Sequence, residues 1–335
     1  MSKIHIIAEA GTNHNADPQT AKQLIDVARE AAADSVKFQI IYPEGLYVEK
    51  VRGESGEFEE NEVISIRRKG MLSDDAYREL AEYSTSQGFP MSASVFDQRG
   101  IDLLNEFEPP YIKIASCDLN NIPLLTRAAQ TGRKLIISTG MSTLDEVRES
   151  VAAIEATGHR DLVIMHCVSV YPCPTDAMNL GFLQTLRNEF DYEIGLSDHT
   201  ENSLAATAAV AMGVTWIEKH YTLDRASQGF DHAYAMEPQM LTDYIRDVRA
   251  VEAAMNPPVE KVGPQESNVK IRARRGLYAA RELQPGQVIT EDDVLIVRPE
   301  GPLVPGQLRV VVGQTATCHI PQYEALSLEQ LNRAS

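Results

Sequence analysis

Short β-type runs alternate with amphipathic segments along most of this chain, and that alternation constrains the fold more than any other feature. Within the first 255 residues, eight runs rich in strand-forming residues recur, and segments with apolar residues at helical spacing lie between them. The runs begin at Ile4, Ser35, Pro90, Tyr111, Lys134, Asp161, Glu193 and Trp216. Strand followed by helix, repeated eight times, predicts a (β/α)8 TIM barrel over residues 1–255.

A doubly wound parallel sheet is the structural alternative. That fold usually has fewer strands and often carries a glycine-rich phosphate-binding turn after the first of them. The segment after the first run, AGTNHNAD at residues 10–17, contains no GxGxxG, and no GxxxxGK[ST] follows anywhere in the chain. The barrel is therefore the preferred interpretation.

A change of composition after Met255 indicates a second region. Residues 256–270 are rich in proline and poor in large apolar residues, which predicts a linker. Residues 271–335 show short β-like runs and two PGQ turns, with no helix expected that is longer than the turn at Glu291–Val294. This pattern predicts a small β-rich C-terminal domain with a thin core.

The charge balance and the cysteine pattern limit the partners of the protein. The 335 residues contain 31 Lys and Arg against 48 Asp and Glu, a formal net charge of -17, which disfavours nucleic acid and anionic membranes as partners. The four cysteines form no CxxC pair, and neither a signal peptide nor a membrane-spanning run is evident, so a cytoplasmic protein is predicted. An anionic substrate therefore needs cations placed locally.

Polar residues recur near the C-terminal ends of the predicted strands, where TIM barrels carry their active sites. The connection between Tyr42 and Leu72 is long and charged, which is typical either of a lid over such a site or of a solvated insertion. The strand-end polar set consists of Glu9, Lys37, Gln39, Ser94, Lys113, Ser116, Ser138, Thr139, Ser197, His199, Glu218 and His220.

Two lysines interrupt otherwise apolar strands, and an unpaired buried ammonium group is costly. Lys37 and Lys113 therefore need anionic partners, for which we consider internal salt bridges to Glu9 or Asp118. The alternative is a phosphate or carboxylate ligand flanked by serine hydroxyls. A Schiff-base role for either lysine is a third possibility. The serines concerned are Ser94, Ser116 and Ser197.

Two histidines end neighbouring strands, with carboxylates beside them. His199 and His220 are placed where a divalent metal ion could be held, because imidazole nitrogens suit Mn, Fe, Co or Zn. A site with open positions would provide Lewis-acid chemistry. Two satisfied structural histidines are the competing interpretation.

Seven segments of the chain resemble signature segments of one family, in the same order. The sequence resembles sialic acid (N-acetylneuraminate) synthases, legionaminic and pseudaminic acid synthases and spore-coat relatives, and its closing domain resembles their SAF (antifreeze-like) domain. The segments are IAEAGTNHNAD, VKFQ, YIKIAS, STGMSTLDEV, HCVSVYPCP, GLSDHT and IEKHYTLD.

The resemblance implies a nonulosonic acid synthase. Such an enzyme condenses phosphoenolpyruvate with an N-acetylmannosamine-type aldose, giving a nine-carbon 2-keto-3-deoxy sugar acid and phosphate. It implies that His199 and His220 bind Mn²⁺ or Mg²⁺, and that Arg298 reaches the sugar pocket of the other subunit in a homodimer with swapped SAF domains. The remaining implied positions are Lys37, Ser94, Lys113, Ser116 and Ser197 for phosphoenolpyruvate, and Glu9, Gln39, Tyr171 and Asp231 for sugar binding or catalysis.

This chain departs from the family pattern where the sugar is expected. Ser169 stands where sialic acid synthases tend to have Asn, and Asp118 stands where they have Glu. The Arg272–Arg275 region takes the place of a sugar-facing aromatic residue of the closing domain. The acceptor therefore stays open between N-acetylmannosamine and a diacetamido hexose.

Two other functions compete with the synthase. One is a class I aldolase that uses Lys113 to form a Schiff base, which would also suit a TIM barrel. The other is a non-catalytic carbohydrate-binding or scaffold protein that has kept the barrel. Borohydride trapping distinguishes the first alternative, and release of phosphate from phosphoenolpyruvate distinguishes the second.

Overall fold

The structure, a computed structural model, describes residues 3–54, 56–256 and 262–333. The chain forms two compact units, residues 1–256 and residues 257–335. Among the described residues, no helix combines the length and the apolar character that crossing a membrane requires.

The first unit is built around a closed parallel barrel, as the repeated alternation predicts. Two short strands, β3 and β4, lie between β2 and β5 and are not part of the barrel. The barrel strands are β1 (His5–Gly11), β2 (Ser35–Ile40), β5 (Met91–Val95), β6 (Ile112–Ile114), β7 (Leu135–Ser138), β8 (Leu162–Cys167), β9 (Glu193–Asp198) and β10 (Trp216–His220). They follow one another around the barrel in chain order, and β1 pairs with β10 to close it. The TIM-barrel prediction is confirmed.

Helices follow the strands, and local capping explains where several of them begin. They are α1 (Pro18–Glu30), α2 (Pro43–Leu46), α3 (Glu62–Lys69), α4 (Asp74–Ser86), α5 (Gln98–Asn105), α6 (Ile122–Gln130), α7 (Leu144–Ala156), α8 (Gly181–Glu189), α9 (Leu204–Ala211) and α10 (Pro238–Met255). The Asp17 carboxylate accepts hydrogen bonds from two backbone N–H groups of α1, and Thr143 and Glu146 form a capping box on α7.

Strand periodicity separates an outer core from an inner layer. Side chains such as Ile6, Ala8 and Phe38 belong to the large core that includes the helices. A second apolar cluster collects residues of opposite parity, nearer the N-terminal ends of the strands, namely Ile7, Tyr111, Ile136, Val163, Met165 and Trp216. Because successive side chains alternate between the two faces of a strand, the residues two positions further on share this inner face.

The connection from Tyr42 to Leu72 has structure of its own. It contains α2, the antiparallel hairpin of β3 (Lys50–Arg52) and β4 (Phe58–Glu60), and α3. The hairpin side chains are exposed, whereas Ile64 of α3 is buried. The segment is therefore anchored through α3 and open at its tip.

The second unit has its own small core and short antiparallel sheets. β11 (Gly276–Ala279) pairs with β12 (Val294–Val297), and β13 (Gln314–Ala316) pairs with β14 (Leu331–Arg333). The β-rich class is confirmed. Helix α12 (Leu308–Val311) has 4 residues and is no longer than the turn expected at Glu291–Val294, and α11 (Pro264–Ala273) begins within the predicted linker.

Helix α11 lies partly within the segment for which a linker is predicted. Pro264 occupies its first turn, where a missing N–H costs nothing, so proline-rich composition does not exclude a helix there. Residues 257–261 of the predicted linker lie outside the described residues. The boundaries 1–255, 256–270 and 271–335 stay a prediction.

Candidate active site

The inner face of the barrel changes from apolar to polar over two residues. Ile7, Tyr111 and Trp216 of the inner apolar layer are followed two positions later by Glu9, Lys113 and Glu218, and the same step leads from Ile136 to Ser138 and from Met165 to Cys167. These polar residues line a cavity of about 590 Å³. The apolar layer closes the barrel beneath the cavity and holds its polar floor in place.

Four buried charged residues form an ionic cluster on that floor. The Lys37 ammonium lies 2.7 Å from Glu9 Oε2 and 3.6 Å from Glu218 Oε2, and it donates to Ser94 Oγ at 2.7 Å. The Lys113 ammonium donates to both oxygens of Glu218, at 2.9 and 2.7 Å. All four side chains are at most 5 % exposed.

This pairing decides between the partners considered for the lysines. The internal salt bridge from Lys37 to Glu9 is present, whereas Lys113 pairs with Glu218 and not with Asp118. The counter-ions also border a cavity large enough for a small ligand. An anion entering the cavity can therefore compete with the carboxylates for the two ammonium groups.

The two carboxylates of the cluster titrate differently. Burial raises the pKa of Glu9 to about 7, against the opposing effect of Lys37. Burial acts in the same direction on Glu218, but Lys113 and Lys37 overcome it and hold the pKa of Glu218 well below its usual range. Near neutral pH, Glu9 is therefore partly protonated while Glu218 stays ionised.

The pKa values of the two lysines shift in opposite directions. Although burial lowers the pKa of an ammonium group, the carboxylates of Glu218 and Glu9 outweigh it and raise the pKa of Lys37. At Lys113 burial dominates over Glu218 and lowers the pKa. With Glu9 protonated, Lys37, Lys113 and Glu218 leave one uncompensated positive charge on the cavity floor.

The imidazoles of His199 and His220 converge at the same cavity. Their ring centroids are 5.4 Å apart, and the ring of Tyr171 lies 4.1 Å from that of His199. His199 Nδ1 donates to the Val168 carbonyl oxygen at 2.8 Å, which leaves Nε2 as the nitrogen with a free lone pair. His220 Nδ1 is buried and has no hydrogen-bond partner among the residues that the structure describes.

This arrangement fits a divalent cation held by two imidazoles. A backbone carbonyl that accepts from one ring nitrogen is the usual way in which a protein orients a metal-binding histidine. Within residues 3–54, 56–256 and 262–333, no group of three or more His, Cys, Asp or Glu side chains is arranged to hold a metal ion. Water or substrate would therefore complete the coordination.

Most residues of the predicted substrate set line this cavity. Gln39 donates to Glu9 Oε1 at 2.8 Å, and Ser197 donates to Glu218 Oε1 at 3.0 Å. The other predicted residues along the lining are Ser94, Ser116, Ser169, Tyr171 and Asp231. The barrel thus gathers side chains that are more than 220 positions apart in sequence.

Two predicted residues are not among those that line it. Asp118 accepts a hydrogen bond from Asn121 at 3.1 Å in the turn after β6. Arg298 is exposed in the second unit, directly after β12. The substrate roles of both residues stay predictions.

Several residues of the cavity wall are not in the predicted set. Tyr234 donates to Asp231 Oδ1 at 2.6 Å, and its ring lies 4.9 Å from that of Tyr171. Arg67 reaches the cavity from α3, and Phe230 reaches it from the loop after β10. These residues lie outside regular strand ends, so strand parity could not identify them, although Cys167 could have been found from its place two residues after Met165.

The fold and the site together define an enzyme of the (β/α)8 class with its polar centre at the C-terminal ends of the strands. Residues 24–260 match the family model described as the NeuB family, and residues 274–331 match that of the SAF domain. The chain belongs to the NeuB family, so the family resemblance seen in the sequence is confirmed.

Individual relatives agree with this assignment. The N,N'-diacetyllegionaminic acid synthase of Legionella pneumophila is 33% identical over 334 residues, covering 97% of this chain and 94% of the relative. Human N-acetylneuraminate-9-phosphate synthase is 31% identical over 302 residues, covering 88% of this chain and 84% of the relative. The N-acetylneuraminic acid (sialic acid) synthetase of Leptospira borgpetersenii, solved in complex with citrate, is 31% identical with a TM-score of 0.71, covering 80% of this chain and 91% of that one.

Proposed function

We propose that this protein is a nonulosonic acid synthase, which condenses phosphoenolpyruvate and water with an N-acetylmannosamine-type aldose to a nine-carbon 2-keto-3-deoxy sugar acid and inorganic phosphate. The observation that carries the proposal is the pair of buried ammonium groups on the floor of a cavity that also contains two converging imidazoles. A protein with a net charge of -17 has little general attraction for an anion. The two ammonium groups would supply that attraction locally, inside the cavity.

Phosphoenolpyruvate would bind through exchange of partners at the ionic cluster. Its phosphate and carboxylate would accept from Lys37 and Lys113, with hydroxyls of Ser94, Ser116 and Ser197 as further donors. Protonation of Glu9 would release Lys37 from its internal salt bridge. The main contribution of these residues is to hold the nucleophilic carbon towards the second substrate.

The acceptor sugar would lie on the imidazole side of the cavity. A divalent cation, Mn²⁺ or Mg²⁺, would supply Lewis-acid polarisation of the sugar aldehyde when bound. Tyr171 packs against His199, and Asp231 and Gln39 lie along the wall where hydroxyl groups of the sugar would need partners. Glu9, with a pKa of about 7, is suited to accept or donate a proton at neutral pH.

The direct test is release of inorganic phosphate from phosphoenolpyruvate with a panel of hexoses and Mn²⁺, together with the mass of the product. We expect phosphate and a nine-carbon keto acid in equal amounts, and loss of turnover with a chelator that added Mn²⁺ reverses. Mn²⁺ binding is measured separately by electron paramagnetic resonance, where His220→Ala should weaken it. No phosphate release with any hexose would refute the synthase.

A class I aldolase is the second candidate, and one observation favours it. Burial lowers the pKa of Lys113, which would make its amine more nucleophilic. Against this, the same amine donates to both oxygens of Glu218. Borohydride reduction in the presence of a keto substrate should leave Lys113 unmodified; a covalent adduct on Lys113 would favour the aldolase.

We further propose that two chains form a homodimer in which the SAF domain of each supplies Arg298 to the other. An exposed arginine directly after β12 is available for such a contact. Arg298→Ala should leave the unfolding midpoint nearly unchanged and raise KM for the hexose without changing KM for phosphoenolpyruvate. A sedimentation experiment that finds only monomer, or unchanged hexose kinetics, would exclude the exchange.

A further inference from the structure

Arg67 is a half-buried cation on the cavity wall that the reaction scheme does not use. It lies in the last turn of α3, and its guanidinium carbon is 3.6 Å from the centroid of the Phe230 ring. Its buried Nε has no hydrogen-bond partner within the part of the chain that the structure describes. Among the described residues, no carboxylate lies within ion-pair distance of it, although Arg68, the next residue, pairs with Glu44. A buried donor of this kind is suited to an acceptor group that a ligand supplies.

The pair of Arg67 and Phe230 separates two cavities. Both residues line the cavity of about 590 Å³ at the strand ends, called the catalytic cavity below. Both also line a second cavity of about 630 Å³, which Ile66 and Met71 border as well. The second cavity has apolar walls next to the guanidinium group. Lys69 also lines it, so the lining alone does not decide between a neutral and an anionic ligand.

Contacts within the catalytic cavity lead from the imidazoles to this pair. Tyr234 has its ring 5.4 Å from that of His220 and donates to Asp231, and Phe230 precedes Asp231 in the chain. A sugar with its aldehyde at the imidazoles would therefore extend past Tyr234 and Asp231. Its far end would then reach the edge of the stacked pair of Arg67 and Phe230.

Charges of both signs surround Arg67, with Lys69 in the second cavity and Asp231 in the first, so a neutral ligand group can be accommodated there as well as an anion. The C-terminal end of α3 carries partial negative charge, Asp231 stands beside Phe230, and the whole protein is strongly acidic. A guanidinium stacked on an aromatic ring keeps its N–H groups free to donate in its own plane, which suits a carbonyl oxygen. Phe230, Ile66 and Met71 offer apolar surface for the methyl that an acetyl group carries.

We propose that Arg67 and Phe230 form a specificity subsite for an acylamino group at the end of the acceptor sugar remote from its aldehyde. This inference rests on the proposed synthase and names its acceptor class as a diacetamido hexose. Arg67 donates to the acyl carbonyl, and the acyl methyl packs against Phe230. A hexose that has only a hydroxyl group at that end offers neither the acyl carbonyl to the guanidinium nor the methyl group to Phe230.

The test compares Arg67→Met with Arg68→Met, a matched control on the same helix whose side chain lines neither cavity. For a diacetamido hexose, Arg67→Met should raise KM at least about tenfold with little change in kcat, because a hydrogen bond to a charged donor is lost. KM for N-acetylmannosamine and for phosphoenolpyruvate should not change, and Arg68→Met should behave as wild type.

Two results of the kinetic comparison would overturn the subsite. One is an equal rise of KM for both hexoses in Arg67→Met, and the other is preference of the wild-type protein for N-acetylmannosamine 6-phosphate, which would assign Arg67 and Lys69 to a phosphate. Calorimetric binding of each hexose, without phosphoenolpyruvate, separates this inference from the synthase itself. Binding that depends on Arg67 without any turnover would retain the subsite and reject the synthase; binding independent of Arg67 would reject the subsite.

Discussion

Two buried ionic clusters meet at strand β10 but lie on opposite faces of it. The inner cluster contains Glu218, which faces the cavity together with Lys37 and Lys113. The outer cluster pairs Lys219 with Asp198 at 3.3 Å, and both side chains are at most 2 % exposed. A shift of one residue along a strand thus separates a group that faces a ligand cavity from a group that faces the helices.

The two clusters differ in how far the protein itself satisfies them. Asp198 accepts from Tyr244 of α10 at 2.8 Å and from the backbone N–H of Thr200 at 2.8 Å, and Lys219 donates to the Thr200 carbonyl. The outer charges therefore have a full set of protein partners. The inner charges border a cavity, and one of their carboxylates has a pKa of about 7. From this difference we infer that the outer pair supports the fold and the inner cluster serves a ligand.

The largest expected effect is loss of activity on changing the inner cluster. Lys37→Met should lower the rate of phosphate release by about 10³-fold, because a charged donor to the substrate is lost. The free energy of unfolding should fall by only about 1 kcal/mol, because Glu9 can take up a proton instead of remaining as an unpaired charge.

Lys134→Met is the matched control for that variant. Lys134 also pairs with two carboxylates, Asp161 and Glu193, but it precedes β7 and so lies at the other end of the barrel. Its turnover should equal that of wild type. Equal losses of activity in Lys37→Met and Lys134→Met would remove the distinction between the inner cluster and other ion pairs.

The outer pair should respond in the opposite way. Lys219→Met should lower the free energy of unfolding by about 3 kcal/mol, because it leaves the Asp198 carboxylate buried without its cation. Denaturant unfolding measures this loss, and the protein that remains folded should keep its KM for phosphoenolpyruvate. The double variant Asp198→Asn with Lys219→Met should recover more than half of the stability; no recovery would indicate that packing of the lysine stem, not its charge, is the cause.

The pH dependence of anion binding should report on Glu9. Burial raises its pKa to about 7, so below that pH Glu9 is neutral and Lys37 is free for an anion, whereas above it the carboxylate competes. Sulfate is a suitable probe because its charge does not change in this range. Its dissociation constant should rise about tenfold between about pH 6 and pH 8 in the wild type. In Glu9→Gln the constant should be nearly independent of pH; an unchanged profile would assign the titration to another group.

How much of this arrangement the sequence could predict depends on whether a residue lies in a regular element. The period of two along a strand places Lys37 with Gln39 and Glu218 with His220 on one face, and the eightfold alternation brings those faces to one end of a barrel. These relations need only local geometry. The cavity floor was therefore largely predictable, and the family resemblance added roles that local geometry cannot supply.

The wall of the cavity was less predictable because loops determine it. Arg67 comes from the connection after β2, and Phe230 and Tyr234 come from the loop after β10, where no period relates sequence to direction. The pairing of Lys113 with Glu218 was also missed, since it joins strands 105 positions apart. Helix α11 was missed because proline at a first helical turn resembles proline in a linker.

The smallest expected effects come from removing one hydroxyl group from each cluster. Tyr244→Phe deletes the donor to Asp198 Oδ2, and Ser197→Ala deletes the donor to Glu218 Oε1. Tyr244→Phe should cost about 1 kcal/mol of unfolding free energy and leave KM for phosphoenolpyruvate unchanged, since only protein groups lose a partner. Ser197→Ala should cost less stability, because Lys113 still satisfies Glu218, and should raise KM for phosphoenolpyruvate.

Denaturant unfolding and steady-state kinetics on both variants measure the two effects. Reversal of this order would show that the outer cluster acts on the ligand site, which would end the division of labour between the two faces of β9 and β10.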